Sequence, residues 1–313
     1  MSIKLFVDFK PSPSGAGRFC SRLVPALKKL GVLIRSSKDC NIALWIIRER
    51  TPVKVKSVLR IDGVYLAKDD GKLYRNKLVK KALRIADCVI FQSKYSKLMA
   101  ENVLGIEPRQ SKIIYNGANP SNYTPDDKLK FYKRNVIVSN RYAATEERRH
   151  KRTKEMFKIA VEYCKMRKDV GFWFAGKIRG KAPDGGKQIK FIGNVPEEKL
   201  RKYVATADVM LHLSWLDYCP NSVVEALVAG TPVICAGGSG TEEIVGNAGS
   251  ILNLGLPPLG IVKNLKPPSF KYELVYNALD KWLEKRVRIA KPELHIDNIA
   301  RQYKEVFEEV LQK

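Results

Sequence analysis

The sequence lacks the features that mark membrane-spanning and secreted proteins. No apolar run approaches the roughly 20 residues needed to cross a bilayer. The N-terminus passes directly from Met-Ser into the strand-like run IKLFVDF, without the basic region, apolar core and cleavage site of a signal peptide. Repeats of the solenoid type are also missing. We therefore expect a cytoplasmic, non-repetitive protein.

Residues that commonly bind metals or form disulfides are sparse. The six cysteines are scattered, without a Cys-x-x-Cys pair or a neighbouring histidine pair. This spacing excludes the common zinc patterns and a disulfide framework, and it favours reduced thiols. The three histidines all lie after residue 149, and there is no Asp-x-Asp motif. These residues therefore give no motif for a metal site, and we expect no cofactor.

Acidic residues are few compared with basic ones. The chain has 32 Asp and Glu against 57 Lys and Arg, a formal net charge of +25. Residues 1–130 carry 26 basic and 11 acidic residues, so the imbalance is strongest there. Such a field attracts nucleic acid, anionic lipid headgroups or phosphorylated substrates. A peripheral contact with an anionic membrane or another polyanion is one interpretation, and a solubilising charge spread over helix faces is the other.

Short apolar runs alternate with helical patterns along the chain. This alternation is typical of an α/β protein with parallel sheets. In the first half the predicted strands are 4–9, 41–47, 57–61, 88–92 and 112–115, and the predicted helices are 17–30, 73–86 and 94–104. In the second half the predicted strands are 135–139, 172–175, 189–193, 209–213 and 232–236, and the predicted helices are 153–166, 196–206 and 222–228.

The restart of this pattern predicts two doubly wound, Rossmann-like domains. We place them at residues 1–125 and 131–290, with residues 117–130 as a linker and hinge. A last helix, predicted over 296–311, has an apolar stripe that must pack against something. We expect residues 295–313 to return to the first domain.

The segment from Leu213 to Val245 carries the most informative pattern. Asp217 is followed by seven residues and then by Glu225 on a predicted short helix, after which come Ala-Gly-Thr-Pro, a strand and a glycine-rich turn. Carboxylates accept paired hydrogen bonds from neighbouring sugar hydroxyls. A cap at Asn221 or Ser222 would leave the first N–H groups of the helix for a phosphate. Either acid alone is compatible with an ordinary surface position, whereas together they favour a site for a nucleotide diphosphate sugar.

The loop Ser12–Arg18 also suits a phosphate. It follows the first strand and opens the first helix, and Gly15 and Gly17 allow a ligand to approach the backbone closely. It is not a dinucleotide fingerprint, because Cys20 occupies the third glycine position, and it lacks the Gly-Lys-Ser/Thr of a P-loop. A tight turn without a ligand is the alternative.

Two cations are candidates for holding a diphosphate. Arg141 follows a predicted strand, and Lys151 leads into a predicted helix. Ligands of open α/β sheets bind at the carboxyl ends of the strands, where these cations fall. A pair of cations there can clamp a diphosphate and stabilise the charge that develops when a bond to it breaks. The alternative is a solvated basic face.

Together these segments resemble the donor-binding signature of the retaining glycosyltransferases of family 4, also called glycosyl transferases group 1. That signature is an acid, seven residues and a glutamate, followed by Ala, Gly-Thr-Pro and a glycine turn ending in Glu. Further likenesses are FQSKYS at 91–96, IYNGA at 114–118, HKR at 150–152, FAG at 174–176 and FIG at 191–193. The resemblance implies the GT-B fold, in which two Rossmann-like domains face each other across a cleft.

The resemblance also implies an activity. A hexose would pass from a nucleotide diphosphate sugar to an acceptor hydroxyl on a glycan, glycoprotein or glycolipid, with retained configuration and no metal. On family frequency GDP-mannose is the first choice of donor and a UDP-hexose the second. The catalytic residues carried over are Asp217, Arg141 and Lys151. The donor-binding residues carried over are Glu225, Tyr218, Cys219, Pro220, Asn221, Ser222, Gly237, Gly238, Thr241, Glu242, Gly15 and Gly17.

The acceptor side and the alternatives are less sharply defined. Family members often place a histidine beside the sugar in the first domain, and this chain has none there. Arg18, Arg60 and Asp62 are the acceptor-side candidates in its place. A basic nucleic-acid-binding protein is an alternative function, although no helix-turn-helix, zinc module or RNP-like motif is present. A sugar-nucleotide epimerase of the same fold is another, and the sequence leaves an oligomer open.

Overall fold

The chain forms two parallel β-sheets flanked by helices. The structure, a computed structural model, describes residues 2–9, 12, 14–140, 142–143 and 149–313. The first sheet has the strand order β2-β1-β3-β4-β5-β6. Its strands are β1 (Lys4–Asp8), β2 (Leu33–Ile34), β3 (Ile42–Ile46), β4 (Lys56–Ile61), β5 (Cys88–Phe91) and β6 (Ser111–Ile113). Its helices are α1 (Gly15–Lys29), α2 (Asn76–Ile85) and α3 (Lys94–Leu104).

The second sheet repeats this plan with the strand order β11-β9-β7-β12-β13-β14. The strands of this half are β7 (Arg134–Ser139), β8 (Tyr142–Ala143), β9 (Val170–Ala175), β10 (Ile178–Arg179), β11 (Ile189–Gly193), β12 (Val209–His212), β13 (Val233–Ala236) and β14 (Gly249–Leu252). The short strands β8 and β10 pair with each other. The helices are α4 (Thr153–Met166), α5 (Glu197–Thr206), α6 (Asn221–Val228), α7 (Gly240–Val245) and α8 (Glu273–Lys285).

Helices cover both faces of each sheet, which explains the continuous apolar strands. All five residues of β3 are buried, as are all six of β9. Strands buried on both faces lose the alternation of polar and apolar residues. In the first sheet α1 packs on one face and α2 and α3 on the other. The predicted fold class, α/β with two Rossmann-like units, is confirmed. Strand β14 and helix α8 are additions to the predicted elements.

The chain crosses between the two sheets twice. The first crossing, residues 117–130, contains two short 3-10 turns. The second crossing lies beside it, since Ala118 forms an isolated parallel bridge with His295. Beyond this bridge, helix α9 (Ile296–Gln312) packs on the first sheet next to α1. Phe19 of α1 contacts Tyr303 of α9, with ring centroids 5.8 Å apart.

Hydrogen bonds across the interface fix how the sheets face each other. The Glu243 carboxylate of α7 accepts from the backbone N–H groups of Lys94 at 2.8 Å and Tyr95 at 2.7 Å. These groups belong to the N-terminus of α3, where a negative charge is favourable. Asn116 donates its side-chain amide to the Cys219 carbonyl at 2.7 Å. The loop between β12 and α6 is therefore held against the first sheet.

Candidate active site

A cleft of about 580 Å³ lies between the two sheets. Its floor includes residues at the carboxyl ends of β7, β9, β11 and β12, and its far wall includes Gly15 and Arg18 of α1. The crevice outside the carboxyl ends of the strands is where open α/β sheets bind ligands. Lys151, Asp217 and the start of α6 also line it. The fold thus brings together part of the predicted site, namely Lys151, Asp217 and the start of α6.

Asp217 is the centre of a polar group on the cleft floor. Its Oδ2 accepts from Lys151 Nζ at 2.6 Å and lies 3.1 Å from His212 Nε2. The side chain is 15% exposed. Burial acts to raise the pKa of Asp217, but the Lys151 ammonium and the His212 hydrogen bond outweigh it and hold the pKa well below its usual range. Asp217 is therefore a carboxylate with a fixed orientation.

Helix α6 presents its N-terminus to the cleft, but not in the way the sequence predicts. Pro220 is the N-cap, and no described side chain caps the helix, so the prediction of a cap at Asn221 or Ser222 is wrong. Asn221 is the first helical residue, and its side chain donates to the Gly15 carbonyl at 3.0 Å across the cleft. A proline fits this position because it needs no backbone donor. The first N–H groups of α6 lack intrahelical acceptors and lie at the cleft.

Glu225 lies one helical turn further along α6, away from the cleft lining formed by the described residues. Its Oε1 accepts from Arg22 Nη2 of α1, across the interface. Both side chains are buried, at 4% and 9% exposed. Arg22 also pairs with Glu197 at 3.2 Å. The predicted ribose ligand is thus held by a cation from the opposite sheet.

The glycine turn from Gly237 to Glu242 supports the Asp217 loop. Gly240 donates its N–H to the Asp217 carbonyl at 3.0 Å, and a Cβ there would overlap the Tyr218 carbonyl. Gly238, with a φ of +82°, donates its N–H to the Glu242 carboxylate at 2.6 Å. The structure places Gly237, Gly238, Thr241 and Glu242 behind the loop, and none of these four is among the described residues that line the cleft.

Tyr218 and Cys219 are packing residues of the same loop. The Tyr218 ring stacks on Tyr95 with centroids 5.8 Å apart, and Gly63 leaves room for it. Cys219 is buried, and burial raises the pKa of its thiol to about 12. The protonated thiol accepts a hydrogen bond from the Asn116 N–H at 3.2 Å. These two residues connect the Asp217 loop to the first sheet.

The three acceptor-side candidates occupy different environments. Arg18 is exposed and lines the cleft. Arg60 is 1% exposed, pairs with Asp62, and donates to the side-chain Oδ1 of Asn116 at 2.6 Å. Its guanidinium lies 4.1 Å from the Phe19 ring centroid. Arg60 and Asp62 do not belong to the cleft lining given by the described residues.

The glycine loop and Arg141 complete the predicted set. Ser14 caps α1 by accepting from the Gly17 N–H at 3.1 Å. A Cβ on Gly17 would collide with the Ser12 carbonyl, so this glycine serves the close turn, whereas Gly15 lines the cleft. Arg141 lies outside the described residues.

Sequence reasoning missed two residues of this region, His212 and Arg22. His212 interrupts the apolar run VMLHL at the end of β12, and a polar residue at the end of a buried strand is a usable signal. Arg22 gave no such signal, because an arginine on the polar side of an amphipathic helix is ordinary. Its partner is 203 positions away in the chain.

The described part of the chain also bears on metal sites and membrane spans. Within it, no cluster of three or more histidine, cysteine, aspartate or glutamate side chains has the arrangement needed to hold a metal ion. The helices in this same part are all too short or too polar to cross a membrane.

Solved structures show the same two-domain arrangement. HepE from Anabaena in complex with UDP has a TM-score of 0.69 at 16% identity, over 99% of this chain and 100% of that one. Sucrose-phosphate synthase from Thermosynechococcus elongatus gives 0.69 at 14%, over 100% of both chains. WaaG, a glycosyltransferase involved in lipopolysaccharide biosynthesis, gives 0.61 at 13%, over 99% and 98%. At these identities the likeness shows the fold alone, which is GT-B as predicted.

Sequence comparison identifies the family. A search of curated proteins gave no match. The family model described as glycosyl transferases group 1 matches residues 136–293, just over half of the chain. The matched region includes Lys151, the Asp217 group, α6 and the glycine turn. The chain therefore belongs to the glycosyl transferases group 1 family and is a glycosyltransferase with the GT-B fold.

Proposed function

We propose that this enzyme transfers a hexose from a nucleotide diphosphate sugar, with retention of configuration, to an acceptor hydroxyl on a glycan or glycoconjugate. The observation that carries the proposal is the grouping of Lys151, Asp217 and the N-terminus of α6 in one cleft between two sheets. A cation and unpaired N–H groups suit a diphosphate. A fixed carboxylate beside them suits sugar hydroxyls.

Each part of the donor has a candidate partner. The diphosphate binds Lys151, the first N–H groups of α6 and Arg141. The hexose hydroxyls bind Asp217, and the ribose hydroxyls bind Glu225. Since Lys151 contacts Asp217 at 2.6 Å, an incoming diphosphate competes with that carboxylate for the ammonium. His212, 3.1 Å from the same oxygen, keeps Asp217 oriented when Lys151 turns to the phosphate.

The reaction is an attack on the anomeric carbon from the face that the diphosphate leaves. The bond from that carbon to the phosphate oxygen breaks as the bond to the acceptor oxygen forms. The departing phosphate takes the proton of the acceptor hydroxyl. Lys151 and the α6 N–H groups offset the negative charge that develops on the diphosphate. The protein contributes positioning and electrostatic stabilisation, together worth several kcal/mol in such a cleft.

Arg18 is the acceptor-side residue best supported by the geometry, because it faces the cleft from α1. Arg60 and Asp62 contribute indirectly, because Arg60 donates to Asn116 and Asn116 holds the Asp217 loop. The proposal for the acceptor is therefore a hydroxyl compound that enters along α1.

Calorimetric titration of the full chain tests the donor. We compare GDP-mannose, which is frequent in the resembling family, with UDP-glucose, which is present in a HepE structure, and with UDP-GlcNAc. We expect the full chain to bind one of these donors. The affinity should fall at least tenfold in Lys151→Met and stay unchanged in Lys158→Met. Lys158 is an exposed lysine of the same region. The absence of binding to all three donors would overturn the proposal.

Product analysis tests the reaction itself. With an acceptor present, we expect a new glycosidic bond whose anomeric configuration, measured by NMR, matches that of the donor. An epimerase would instead change the donor sugar without an acceptor. A product with inverted anomeric configuration would disprove the retaining mechanism, and it would not affect the proposal for the donor site.

A further inference from the structure

The exposed apolar side chains are concentrated in one part of the molecule. Among the described residues, eleven large hydrophobic side chains are exposed, and seven of them belong to α2, the turn before it, α3 and the segment 256–261. They are Tyr74, Leu78, Ile85, Leu98, Leu256, Leu259 and Ile261. Single exposed apolar residues are ordinary on protein surfaces, whereas a group of seven marks an interaction site.

The apolar surface of helix α2 extends beyond the residues that face the core. Val79, Ala82 and Leu83 are buried against the sheet. Tyr74, Leu78, Lys81 and Ile85 follow each other at spacings of four, three and four residues, which places them along one side of the helix. Tyr74 is 63% exposed, Leu78 44% and Ile85 50%. Leu78 and Ile85 lie four and three residues from the buried Ala82, so this exposed stripe borders the side of α2 that faces the core.

The segment 256–261 turns its apolar side chains outward while its backbone is anchored. Trp215 donates its indole N–H to the Leu256 carbonyl at 2.9 Å, and the Tyr95 hydroxyl donates to the Pro258 carbonyl at 2.9 Å. The Asn102 amide donates to the Leu259 carbonyl at 2.7 Å. Leu256 is nevertheless 74% exposed and Leu259 54%. The hydrogen bonds hold the backbone of this segment in place while its leucine side chains stay in contact with solvent. These leucines are therefore available to a binding partner.

These elements share one side of the molecule. Helices α2 and α3 cover the same face of the first sheet. Asn102 of α3 holds Leu259, so the segment joins that face, and Leu98 lies one helical turn from Asn102. We refer to α2 with the turn before it, α3 and residues 256–263 as the apolar face.

The charge around the apolar face is positive. Residues 71–86 contain six Lys and Arg and no acid, and residues 246–272 contain three Lys and no acid. On α3 the only acid, Glu101, is 3.7 Å from Lys97. Asp69 and Asp70, directly before residue 71, are exposed, and Asp69 donates its N–H to the Lys263 carbonyl, so the cations are in excess without being unopposed. Leucines among an excess of cations suit a bilayer surface, where the apolar side chains enter the acyl boundary and the cations meet anionic headgroups. A soluble polyanion would engage the cations and leave the leucines in water.

We propose that the apolar face docks the enzyme on the surface of an anionic phospholipid bilayer. The segment 256–261 also lies against the glycine turn, because a Cβ on Gly238 would meet Leu256 and Pro257. Docking through this face leaves α1, which covers the opposite face of the first sheet, turned away from the bilayer.

Flotation with lipid vesicles tests the apolar contribution. The vesicles contain phosphatidylcholine with about 30% phosphatidylglycerol, or phosphatidylcholine alone. We expect the full chain to bind the anionic vesicles, and the double variant Leu78→Ser with Leu259→Ser to bind about tenfold more weakly. The control is Leu274→Ser with Met166→Ser, whose side chains are 44% and 57% exposed against 44% and 54%. Equal loss in both pairs would overturn the proposal.

Charge reversal tests the electrostatic contribution. Lys77→Glu with Lys81→Glu on α2 is compared with Lys281→Glu with Lys285→Glu on α8. Both pairs are exposed at a spacing of four residues and change the net charge equally. We expect about tenfold or greater weakening only for the α2 pair. Weakening that is equal for both pairs, or leucine variants that bind like the wild type, would indicate a general polyanion attraction and refute docking. Nucleotide-sugar titration of each variant reports the donor site separately.

Discussion

Asp217 and Glu225 lie eight positions apart in one motif, yet they are held in different ways. The partners of Asp217, Lys151 and His212, come from its own half of the chain. The partner of Glu225, Arg22, comes from α1 of the opposite sheet. The Asp217 end of the motif is thus formed by one domain, whereas the Glu225 end depends on how the two domains meet.

This difference separates two tasks within the donor site. Asp217 lines the cleft and has an ammonium beside it, so in the proposed reaction it lies where the charge changes. Glu225 is almost fully buried in an ion pair across the interface. In the proposed donor site, a ribose that binds Glu225 would meet Arg22 at the same carboxylate, which would link nucleotide binding to the contact between the two domains.

The largest expected effect comes from removing the partner of Asp217. In Lys151→Met the diphosphate loses its cation and Asp217 loses its counter-charge. We expect kcat to fall by about 100- to 1,000-fold, as when one charge-stabilising group is removed from an active site. Initial rates at saturating donor measure this fall.

The matched control is Lys158→Met on α4, which removes an exposed lysine and should leave kcat within about twofold, since surface changes away from a site have small effects. A Lys151→Met enzyme with near wild-type kcat would show that the Asp217 group is structural. In that case the contrast between the two acids would disappear.

The second effect comes from removing the partner of Glu225. Arg22→Met leaves a buried carboxylate without its cation, which destabilises the fold by about 3 kcal/mol. Urea denaturation measures the free energy of unfolding. In a double-mutant cycle with Glu225→Gln, we expect a coupling energy of at least about 1 kcal/mol, because the two side chains are in direct contact.

The control is Arg301→Met on α9. Arg301 is exposed, and its guanidinium donates to the side chain of Asn298 in the same helix. It should change the free energy of unfolding by less than about 0.5 kcal/mol. Additive effects of Arg22→Met and Glu225→Gln would mean that the ion pair does not join the domains.

The contrast also explains how much of the molecule is predictable from sequence. The spacing of apolar runs predicted both sheets, since parallel strands and amphipathic helices have local signatures. Helix α3 begins and ends where predicted, with Ser93 capping it. The grouping of Asp217 and Lys151 follows from strand ends meeting at one edge of a sheet.

The parts that could not be predicted depend on contacts between distant segments. The pairing of Arg22 with Glu225 requires the orientation of one domain on the other, which no local pattern encodes. The cap of α6 differs for a local reason, because Pro220 takes the N-cap position and moves Asn221 into the helix. Helix α8 was missed although Val275, Ala278, Leu279 and Trp282 recur at helical spacing.

The smallest expected effect concerns the protonation of Asp217. The pKa of Asp217 is lowered in the folded protein. The stability that its charge contributes is therefore complete above the pKa of an aspartate in the unfolded chain, about 3.9. This contribution is lost as the pH falls below that value. A protein that keeps Asp217 should therefore lose, between pH 6 and pH 3.5, on the order of 1 kcal/mol more of its free energy of unfolding than Asp217→Asn does. Both proteins carry His212→Gln, which removes the imidazole titration and keeps an N–H donor. Parallel pH curves for the two would show that Lys151 does not stabilise the charged form of Asp217.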